Sequence, residues 1–179
     1  YSNNYSVTSL SDKKFLEKYF ITKKIEVIPN WVTDTKENSF ENRHKNKIIS
    51  VGRLEFQKNY ESLVKSLSGT NIQIDIVGEG TEKSSLETLS INSKTNLSFL
   101  GRVGHSELNE LYLNYRIFVL SSNFEGNPKV VLEAMSRGVL VIARRNKNIE
   151  EIIENNHDGI IFDNSNEILS LVESFLDNK

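Results

Sequence analysis

The chain has 179 residues, and its 22 basic and 24 acidic side chains give a formal net charge of −2. This length suits one domain with a good core but excludes two full catalytic domains, and the balanced charge argues against nucleic acid as a partner. The absence of cysteine excludes disulfides, thiolate metal sites and cysteine nucleophiles, and no apolar run approaches the roughly 20 residues that would cross a bilayer.

The first forty or so residues differ in pattern from the rest of the chain. An amphipathic helical pattern begins at Ser11, and the apolar stretch Ile25–Ile28 predicts a strand that ends at Pro29-Asn30. The following stretch, Thr33–Lys47, is polar and has no apolar periodicity. We therefore predict a connecting arm and then a surface loop over residues 1–44, and a separate folded domain over residues 45–179.

Short β-branched runs alternate with helical patterns throughout this domain. The predicted strands are Ile48–Val51, Ile72–Val77, Leu97–Leu100, Ile117–Leu120, Val139–Ile142 and Ile160–Phe162. The predicted helices are Asn59–Leu67, Glu82–Leu89, Ser106–Leu113, Pro128–Arg137, Ile149–Glu154 and Glu167–Leu176. This alternation predicts an α/β fold, a Rossmann-like doubly wound parallel sheet with helices on both faces.

The helix over Pro128–Arg137 has well-defined predicted ends. Asn127 is a good N-cap, Pro128 suits the first helical position, and Gly138 suits a left-handed stop. The helix follows the strand Ile117–Leu120, so its N-terminus lies at the carboxyl end of a strand. Open α/β sheets bind their ligands at that edge.

The start of this helix is a predicted anion site. Free backbone N–H groups of Gly126, Asn127 and Lys129, together with the positive end of the helix dipole, would attract a phosphate or diphosphate. Pro128 has no N–H to contribute.

A second candidate loop leaves the first strand of the domain. Gly52 permits close approach of a ligand. The two cations of the loop suit a diphosphate, because the planar Arg53 guanidinium can bind two phosphate oxygens and the Lys58 ammonium acts as a point charge. On spacing alone, a solvated loop explains these charges slightly better. The position of the loop favours the ligand, because both loops leave carboxyl ends of parallel strands and open toward one rim.

Two glutamates, Glu125 and Glu133, flank the start of the helix. Helical side chains lean toward the N-terminus, so Glu133 either pairs with Lys129 one turn earlier or accepts hydrogen bonds from two ligand hydroxyls. From the residues alone these two interpretations are level. Glu125 precedes the helix, where it would crowd a diphosphate, so it is expected to face the uncharged part of the ligand.

Two other glycine loops follow predicted strands. Val77-Gly78-Glu79-Gly80 lacks the third glycine of a dinucleotide fingerprint, so a tight turn is the better interpretation. At Gly101, Arg102 and Val103, backbone groups would be able to approach a planar ring.

The three histidines of the chain lack the spacing of metal ligands, so no metal site is expected.

Taken together, these segments resemble the retaining GT-B glycosyltransferases of group 1, which carry an E-x7-E motif. The matching segments are Val27-Ile28-Pro29-Asn30, Gly52-Arg53-Leu54, Gln57-Lys58-Asn59, Val77-Gly78-Glu79-Gly80, Phe99-Leu100-Gly101, Glu125-Gly126-Asn127-Pro128, Leu132-Glu133-Ala134-Met135 and Glu151-Ile152-Ile153. The resemblance implies the C-terminal, donor-binding half of a GT-B fold. It makes residues 1–44 the end of an N-terminal domain, the interdomain linker and a surface loop, and residues 45–179 the nucleotide-sugar-binding domain.

The resemblance also implies a role for each candidate residue. The donor is a UDP- or GDP-sugar, transferred with retention and without an obligatory metal or other cofactor. Glu125 would be the catalytic residue beside the sugar, and Glu133 would bind the ribose hydroxyls. The diphosphate would be held by Arg53, Lys58, Gly126, Asn127 and Lys129, and the base by Gly101, Arg102 and Val103.

The chain departs from the family pattern in one loop and at two further positions. Leu140, Arg144 and the pair Lys147-Asn148 stand where members often have a proline, a threonine and two glycines, and Trp31 replaces a frequent glycine. The Arg144–Asn148 loop lies outside the predicted phosphate site, so its acceptor or interdomain contacts are left open.

The resemblance further implies a fragment of a hexosyltransferase that is inactive without its N-terminal domain, which would bind a sugar or lipid-linked acceptor. The expected setting is bacterial surface polysaccharide or glycoconjugate synthesis, in the cytoplasm or peripherally on the inner face of the membrane. A non-catalytic nucleotide-binding or regulatory module is the alternative. A phosphorylase using pyridoxal phosphate fits less well, because no site is arranged for a cofactor aldimine.

Overall fold

A small N-terminal unit precedes the main sheet in the computed structural model, which describes residues 4–19, 24–28, 30, 32 and 40–176. It consists of strand β1 (Asn4–Val7), helix α1 (Leu10–Glu17) and strand β2 (Lys24–Val27), and the two strands are parallel. The Ser9 side chain caps α1 by accepting a hydrogen bond from the backbone of Asp12, so the helix begins one residue before the predicted start.

Several residues of the predicted arm lie outside the described part of the chain. They are Pro29, Trp31 and residues 33–39 of the predicted loop. The predicted strand Ile25–Ile28 is confirmed to within one residue at each end.

Strands and helices alternate through the rest of the chain, as predicted. The six strands are β3 (His44–Val51), β4 (Gln73–Val77), β5 (Asn96–Gly101), β6 (Tyr115–Leu120), β7 (Leu140–Arg144) and β8 (Ile160–Phe162). The helices are α2 (Tyr60–Ser66), α3 (Lys83–Ser93), α4 (His105–Tyr112), α5 (Lys129–Ser136), α6 (Lys147–Glu150) and α7 (Ile168–Leu176). The strands pair in parallel in the order β5-β4-β3-β6-β7-β8, which confirms the Rossmann-like α/β fold.

Side chains that alternate along the strands divide the core between the two faces of the sheet. Ile48 and Ile117 contribute to the cluster that packs against α2, α3 and α7, whereas Ile49 and Phe118 contribute to the cluster against α4, α5 and α6. All four side chains are fully buried, as expected for strands covered on both faces. Among the described residues, no helix is long and apolar enough to span a membrane.

Three elements have a clearly wrong predicted boundary. Helix α3 ends at Ser93 rather than Leu89. Strand β3 begins at His44 rather than Ile48, because its polar N-terminal end also pairs with neighbouring strands, Lys47 with Gln73 of β4 and His44 with Tyr115 of β6. Helix α6 covers Lys147–Glu150 rather than Ile149–Glu154, because the Asn146 side chain accepts hydrogen bonds from two backbone N–H groups of its first turn.

A buried arginine fixes the C-terminal end of α5. The Arg43 guanidinium donates to the carbonyl oxygens of Arg137 at 2.7 Å and Gly138 at 2.6 Å, and also to that of Tyr115 in β6. Gly138 has φ +63°, so the left-handed stop predicted there is confirmed. Arg43 therefore holds α5 against the strand from which it departs.

The glycines after β4 allow two neighbouring loops to pack backbone against backbone. The N–H of Leu54 donates to the carbonyl oxygen of Glu79, and the N–H of Glu82 donates back to the carbonyl oxygen of Leu54. A Cβ at Gly78 would overlap the carbonyl oxygen of Gly52. The structure has no tight turn at residues 78–80, so that part of the prediction is wrong, and close packing is the reason for glycine there.

We predict that Gly78→Ala destabilises the protein by about 2–4 kcal/mol, because alanine adds both a backbone overlap and a strained φ of +142°. Gly69→Ala is the matched control. Gly69 also has a positive φ, +71°, but open space around it, so only the conformational cost of about 1–2 kcal/mol applies. Urea denaturation of both variants measures the difference, and equal losses of stability would contradict the packing argument.

Candidate functional site

A crevice opens at the carboxyl end of the sheet between β3 and β6. The chain leaves β3 through α2 toward β4, and leaves β6 through α5 toward β7, in the opposite direction along the sheet. The two helices also lie on opposite faces. The loops after β3 and β6 therefore diverge, which is the geometry that creates a ligand site in open α/β sheets.

An ion pair bridges this crevice. Lys58 Nζ lies 2.6 Å from Glu125 Oε1, and only 15% of the lysine side chain and 7% of the glutamate side chain are exposed. A Cβ at Gly52 would lie 2.8 Å from Lys58 Cε, so the glycine makes room for the lysine stem. The sequence predicted both charged residues for the site but did not predict that they pair.

Hydrogen bonds join the loop that carries Lys58 to the loop that carries Glu125. The N–H of Asn123 donates to the carbonyl oxygen of Gln57, and the Gln57 side chain donates to the carbonyl oxygen of Phe124. Ser121 Oγ donates to the carbonyl oxygen of Lys58 at 2.9 Å. These bonds fix the positions of the opposite charges before any ligand binds.

Arg53, the second predicted diphosphate ligand, is placed differently. Its Nη1 donates to Glu55 Oε1 at 2.8 Å, and 73% of its side chain is exposed. Arg53 and Lys58 therefore lie on one loop but have different carboxylate partners. Joint binding of a diphosphate by the two cations stays a prediction.

The start of α5 differs from the prediction in its capping. The helix begins at Lys129, Pro128 occupies the N-cap position, and no side chain caps the helix. Asn127 instead accepts a hydrogen bond from the Asn30 amide at 2.8 Å and donates to the carbonyl oxygen of Thr8 at 2.6 Å. Long-range bonds thus displace the local capping bond that the sequence predicted.

The predicted anion-binding N–H groups are nonetheless available. Those of Gly126, Asn127 and Lys129 make no hydrogen bond to any other described residue. Since unsatisfied donors at a helix start favour an anion, this part of the prediction is compatible with the structure and awaits a ligand.

Glu133 is 5% exposed and contacts two basic side chains. Lys129 Nζ lies 3.6 Å and His105 Nδ1 3.5 Å from Glu133 Oε1, beside a cavity of about 90 Å³. The predicted pair with Lys129 is present, and the role of Glu133 toward ribose stays a prediction. His105 belongs to a different helix, so no sequence spacing could have indicated it.

The predicted base-binding loop precedes the helix that contacts Glu133. Gly101 ends β5 with φ +71°, and its carbonyl oxygen accepts a hydrogen bond from the N–H of Gly78. Arg102 is exposed and Val103 is half-buried, and His105, the contact of Glu133, follows two residues later. Binding of a base by this loop stays a prediction.

The departures from the family pattern hold the Glu125 loop. The Asn148 amide donates to the carbonyl oxygens of Glu125, at 2.8 Å, and Gly126. Arg144 Nη1 donates to Asn123 Oδ1 at 2.5 Å. The sequence left the contacts of this loop open, and the structure shows that two of its side chains position the segment that carries Glu125.

Glu151 also connects the N-terminal unit to the domain, in addition to the hydrogen bonds of Asn127 to Asn30 and Thr8. The Glu151 carboxylate accepts hydrogen bonds from the N–H groups of Leu10, at 2.7 Å, and Ser11, at 2.8 Å, and from Ser11 Oγ. These groups are the unsatisfied donors at the start of α1. Burial alone would raise the pKa of Glu151, but the hydrogen bonds from Ser11 and Leu10 outweigh it and lower the pKa below its ordinary value.

Within the described ranges, no three His, Cys, Asp or Glu side chains lie close enough together to hold a metal ion. The expectation that no metal is required stays a prediction.

Comparison with protein families matches residues 32–179 to the family described as glycosyl transferases group 1. The match spans the loops after β3 and β6, the helix α5 and the whole sheet. The chain belongs to this glycosyltransferase family. The resemblance inferred from the sequence motifs is thereby confirmed at the level of the family.

Curated relatives include glycosyltransferases from several kingdoms. The amylovoran biosynthesis glycosyltransferase AmsD of Erwinia amylovora is 30% identical over 177 residues, covering 92% of this chain and 49% of the relative. The sulfoquinovosyl transferase SQD2 of Arabidopsis thaliana is 35% identical over 114 residues, covering 63% of this chain and 22% of the relative. The chain thus spans about half the length of AmsD and less of SQD2.

Solved glycosyltransferase structures share the fold. TarM of S. aureus, in a complex containing UDP, has a TM-score of 0.86 at 20% identity, over 98% of this chain and 37% of its own. HepE of Anabaena, in complex with UDP-glucose, has a TM-score of 0.82 at 15% identity, over 99% of this chain and 55% of its own. The chain covers 37% of the TarM chain and 55% of the HepE chain, which agrees with the prediction that it is the C-terminal half of a GT-B fold.

We predict that Glu151→Gln destabilises the protein at pH 7 by no more than about 1 kcal/mol, because the carboxylate is largely exposed. The pKa of Glu151 is lower in the folded than in the unfolded state, so its contribution is complete above the ordinary value of 4.5 and is lost as pH falls through the folded value. The difference in unfolding free energy between wild type and variant should therefore shrink below pH 4.5. A constant difference from pH 7 to 3 would contradict the role of the charge.

Proposed function

We propose that this chain is the donor-binding part of a retaining glycosyltransferase that uses a UDP- or GDP-sugar. The observation that carries the proposal is the Lys58–Glu125 pair in the crevice between β3 and β6, beside the free N–H groups at the start of α5. A cation and unpaired donors suit a diphosphate, and a carboxylate beside them suits a positively charged sugar carbon.

The proposed chemistry divides the charges between the departing and the transferred group. The bond between the anomeric carbon and the diphosphate oxygen breaks, and the acceptor hydroxyl oxygen bonds to that carbon from the same face. The acceptor proton passes to the departing phosphate oxygen. Lys58, Arg53 and the α5 start stabilise the growing negative charge without an obligatory metal, and Glu125 orients the sugar and stabilises the positive charge on its anomeric carbon.

Glu133 is proposed to accept hydrogen bonds from the two ribose hydroxyls. Its side chain lies beside Lys129 and His105, and a carboxylate accepts hydrogen bonds through both of its oxygens. The backbone of Gly101–Val103 is proposed to contact the base.

Relatives support this choice of donor class and setting. Pneumococcal GtfA was solved with UDP and GlcNAc, HepE was solved with UDP-glucose, and AmsD is described as an amylovoran biosynthesis enzyme. We propose a hexosyl donor and a role in bacterial surface polysaccharide or glycoconjugate synthesis. The whole enzyme would be cytoplasmic or peripheral on the inner membrane face, and its N-terminal half, needed for activity, would bind a sugar or lipid-linked acceptor.

We predict that the chain binds UDP or GDP in calorimetry, and that Arg53→Ala and Lys58→Ala each weaken binding by about tenfold or more, because each removes a phosphate ligand. Lys65→Ala is the matched control. Lys65 is an exposed cation on α2 whose partner is Glu61, so its removal should leave affinity unchanged. Absence of binding at millimolar nucleotide, or equal affinity in all variants, would overturn the proposal.

We also predict that Glu125→Gln binds UDP or GDP at least about threefold more tightly than wild type, because the buried Lys58 loses its anionic partner and gains by pairing with phosphate. The same substitution at Glu133 should weaken binding through its ribose contacts, so it serves as an internal comparison. Calorimetry measures both variants. Weaker binding by Glu125→Gln would show that the carboxylate does not compete with the diphosphate.

A further inference from the structure

A buried tyrosine hydroxyl lies beside the Lys58–Glu125 pair. Tyr60 is the first residue of α2 and is 1% exposed, and its hydroxyl has no hydrogen-bond partner among the described residues. A Cβ at Gly52 would lie 3.0 Å from this hydroxyl and 2.8 Å from Lys58 Cε, so both side chains border the space that the glycine leaves open. The chemistry proposed above gives the Tyr60 hydroxyl no role.

The Ser50 hydroxyl, which lies near Tyr60, is engaged elsewhere. Ser50 Oγ donates its proton to the carbonyl oxygen of Val119 at 2.7 Å. Burial is the largest influence on the pKa of Tyr60 and raises it, the Ser50 hydroxyl lowers it, and the negative charge of Glu125 raises it further. The Tyr60 hydroxyl therefore stays protonated at neutral pH and is a free donor within electrostatic range of Glu125.

The Glu125 carboxylate depends on a single partner. Among the described residues, only Lys58 makes an ion pair or a hydrogen bond with it. When Lys58 pairs with a ligand phosphate, as the proposed function requires, a carboxylate that is 7% exposed loses this partner. A buried charge without a partner is strongly destabilising, so the exchange requires another donor.

We propose that Tyr60 is a positioning residue, whose hydroxyl donates to the Glu125 carboxylate once Lys58 has turned to the diphosphate. The hydrogen bond would hold Glu125 in the crevice while the diphosphate is bound. The identity of the ligand that attracts Lys58 rests on the proposed function. Tyr60 acts through Glu125 and does not itself contact the ligand.

Urea denaturation of the free protein tests the contact without any ligand. Lys58→Met keeps the side-chain stem beside Gly52 and removes the charge, so Glu125 needs another donor. Tyr60→Phe alone should leave the unfolding midpoint unchanged or raise it, because the hydroxyl is unpaired in the wild type. In the Lys58→Met background, Tyr60→Phe should lower the folding equilibrium constant about tenfold or more, since it removes a hydrogen bond to a charged group.

Calorimetry with UDP and GDP tests the exchange itself. Tyr60→Phe should weaken nucleotide binding about fivefold or more, because binding then leaves the Glu125 charge without a donor. In the Glu125→Gln background the effect of Tyr60→Phe should fall below about twofold, since the neutral amide carries no charge to compensate. This difference is the coupling between the two side chains.

Tyr115→Phe is the matched control. Tyr115 is also buried, but its hydroxyl donates to Asp75 Oδ2 at 2.7 Å. Tyr115→Phe should therefore lower the unfolding midpoint equally with and without the Lys58→Met substitution, and it should leave nucleotide affinity unchanged.

An equal effect of Tyr60→Phe on stability with and without the Lys58→Met substitution would overturn the role of Tyr60, and so would equal nucleotide affinity in wild type and Tyr60→Phe. If the double variant does not fold, the calorimetry decides. If the wild type binds neither nucleotide, the proposed donor function fails, and the stability measurement decides whether Tyr60 is the second donor to Glu125. The two proposals therefore fail separately.

Discussion

The adjacency of β3 and β6 at the centre of the sheet is the constraint on which the candidate site depends. Because the chain leaves these neighbours in opposite directions, their following loops diverge and leave a crevice. That crevice brings Lys58 within 2.6 Å of Glu125, 67 positions away in the sequence. Desolvation makes a buried ion pair a weak source of stability, so the pair is compatible with the proposed exchange of Glu125 for a ligand phosphate.

The candidate site also depends on contacts that hold α5 at both of its ends. Arg43 binds the carbonyls at its C-terminus, and Asn148 binds the carbonyls of the loop that leads into its N-terminus. A helix start serves as an anion site only if its N–H groups point in a fixed direction, and a mobile loop would lose that direction. The positions of Glu125 and Glu133 relative to each other therefore depend on residues outside the segment that joins them.

The order and type of the strands and helices could be predicted from the sequence, because apolar periodicity is local and each run of residues carries its own signal. Contacts between distant segments could not be predicted from the sequence. His105 reaches Glu133, and Glu151 reaches α1, only after the sheet has formed. Asn127 shows the limit most clearly, since its capping preference was sound locally, yet bonds to Asn30 and Thr8 outweigh it in the folded chain.

The short helix α6 links the N-terminal unit to the loop that carries Glu125. Glu151 at its end caps α1, and Asn148, three positions earlier, holds the carbonyls of Glu125 and Gly126. Both contacts come from side chains, and Asn148 stands where the resemblance led us to expect glycine, which has no side chain to make such a bond. A displacement of the N-terminal unit would therefore act on α6 and, through one amide group, on the loop that carries Glu125. Glu151, which matches the family pattern, and Asn148, which departs from it, thus together connect the N-terminal unit to the loop that carries Glu125.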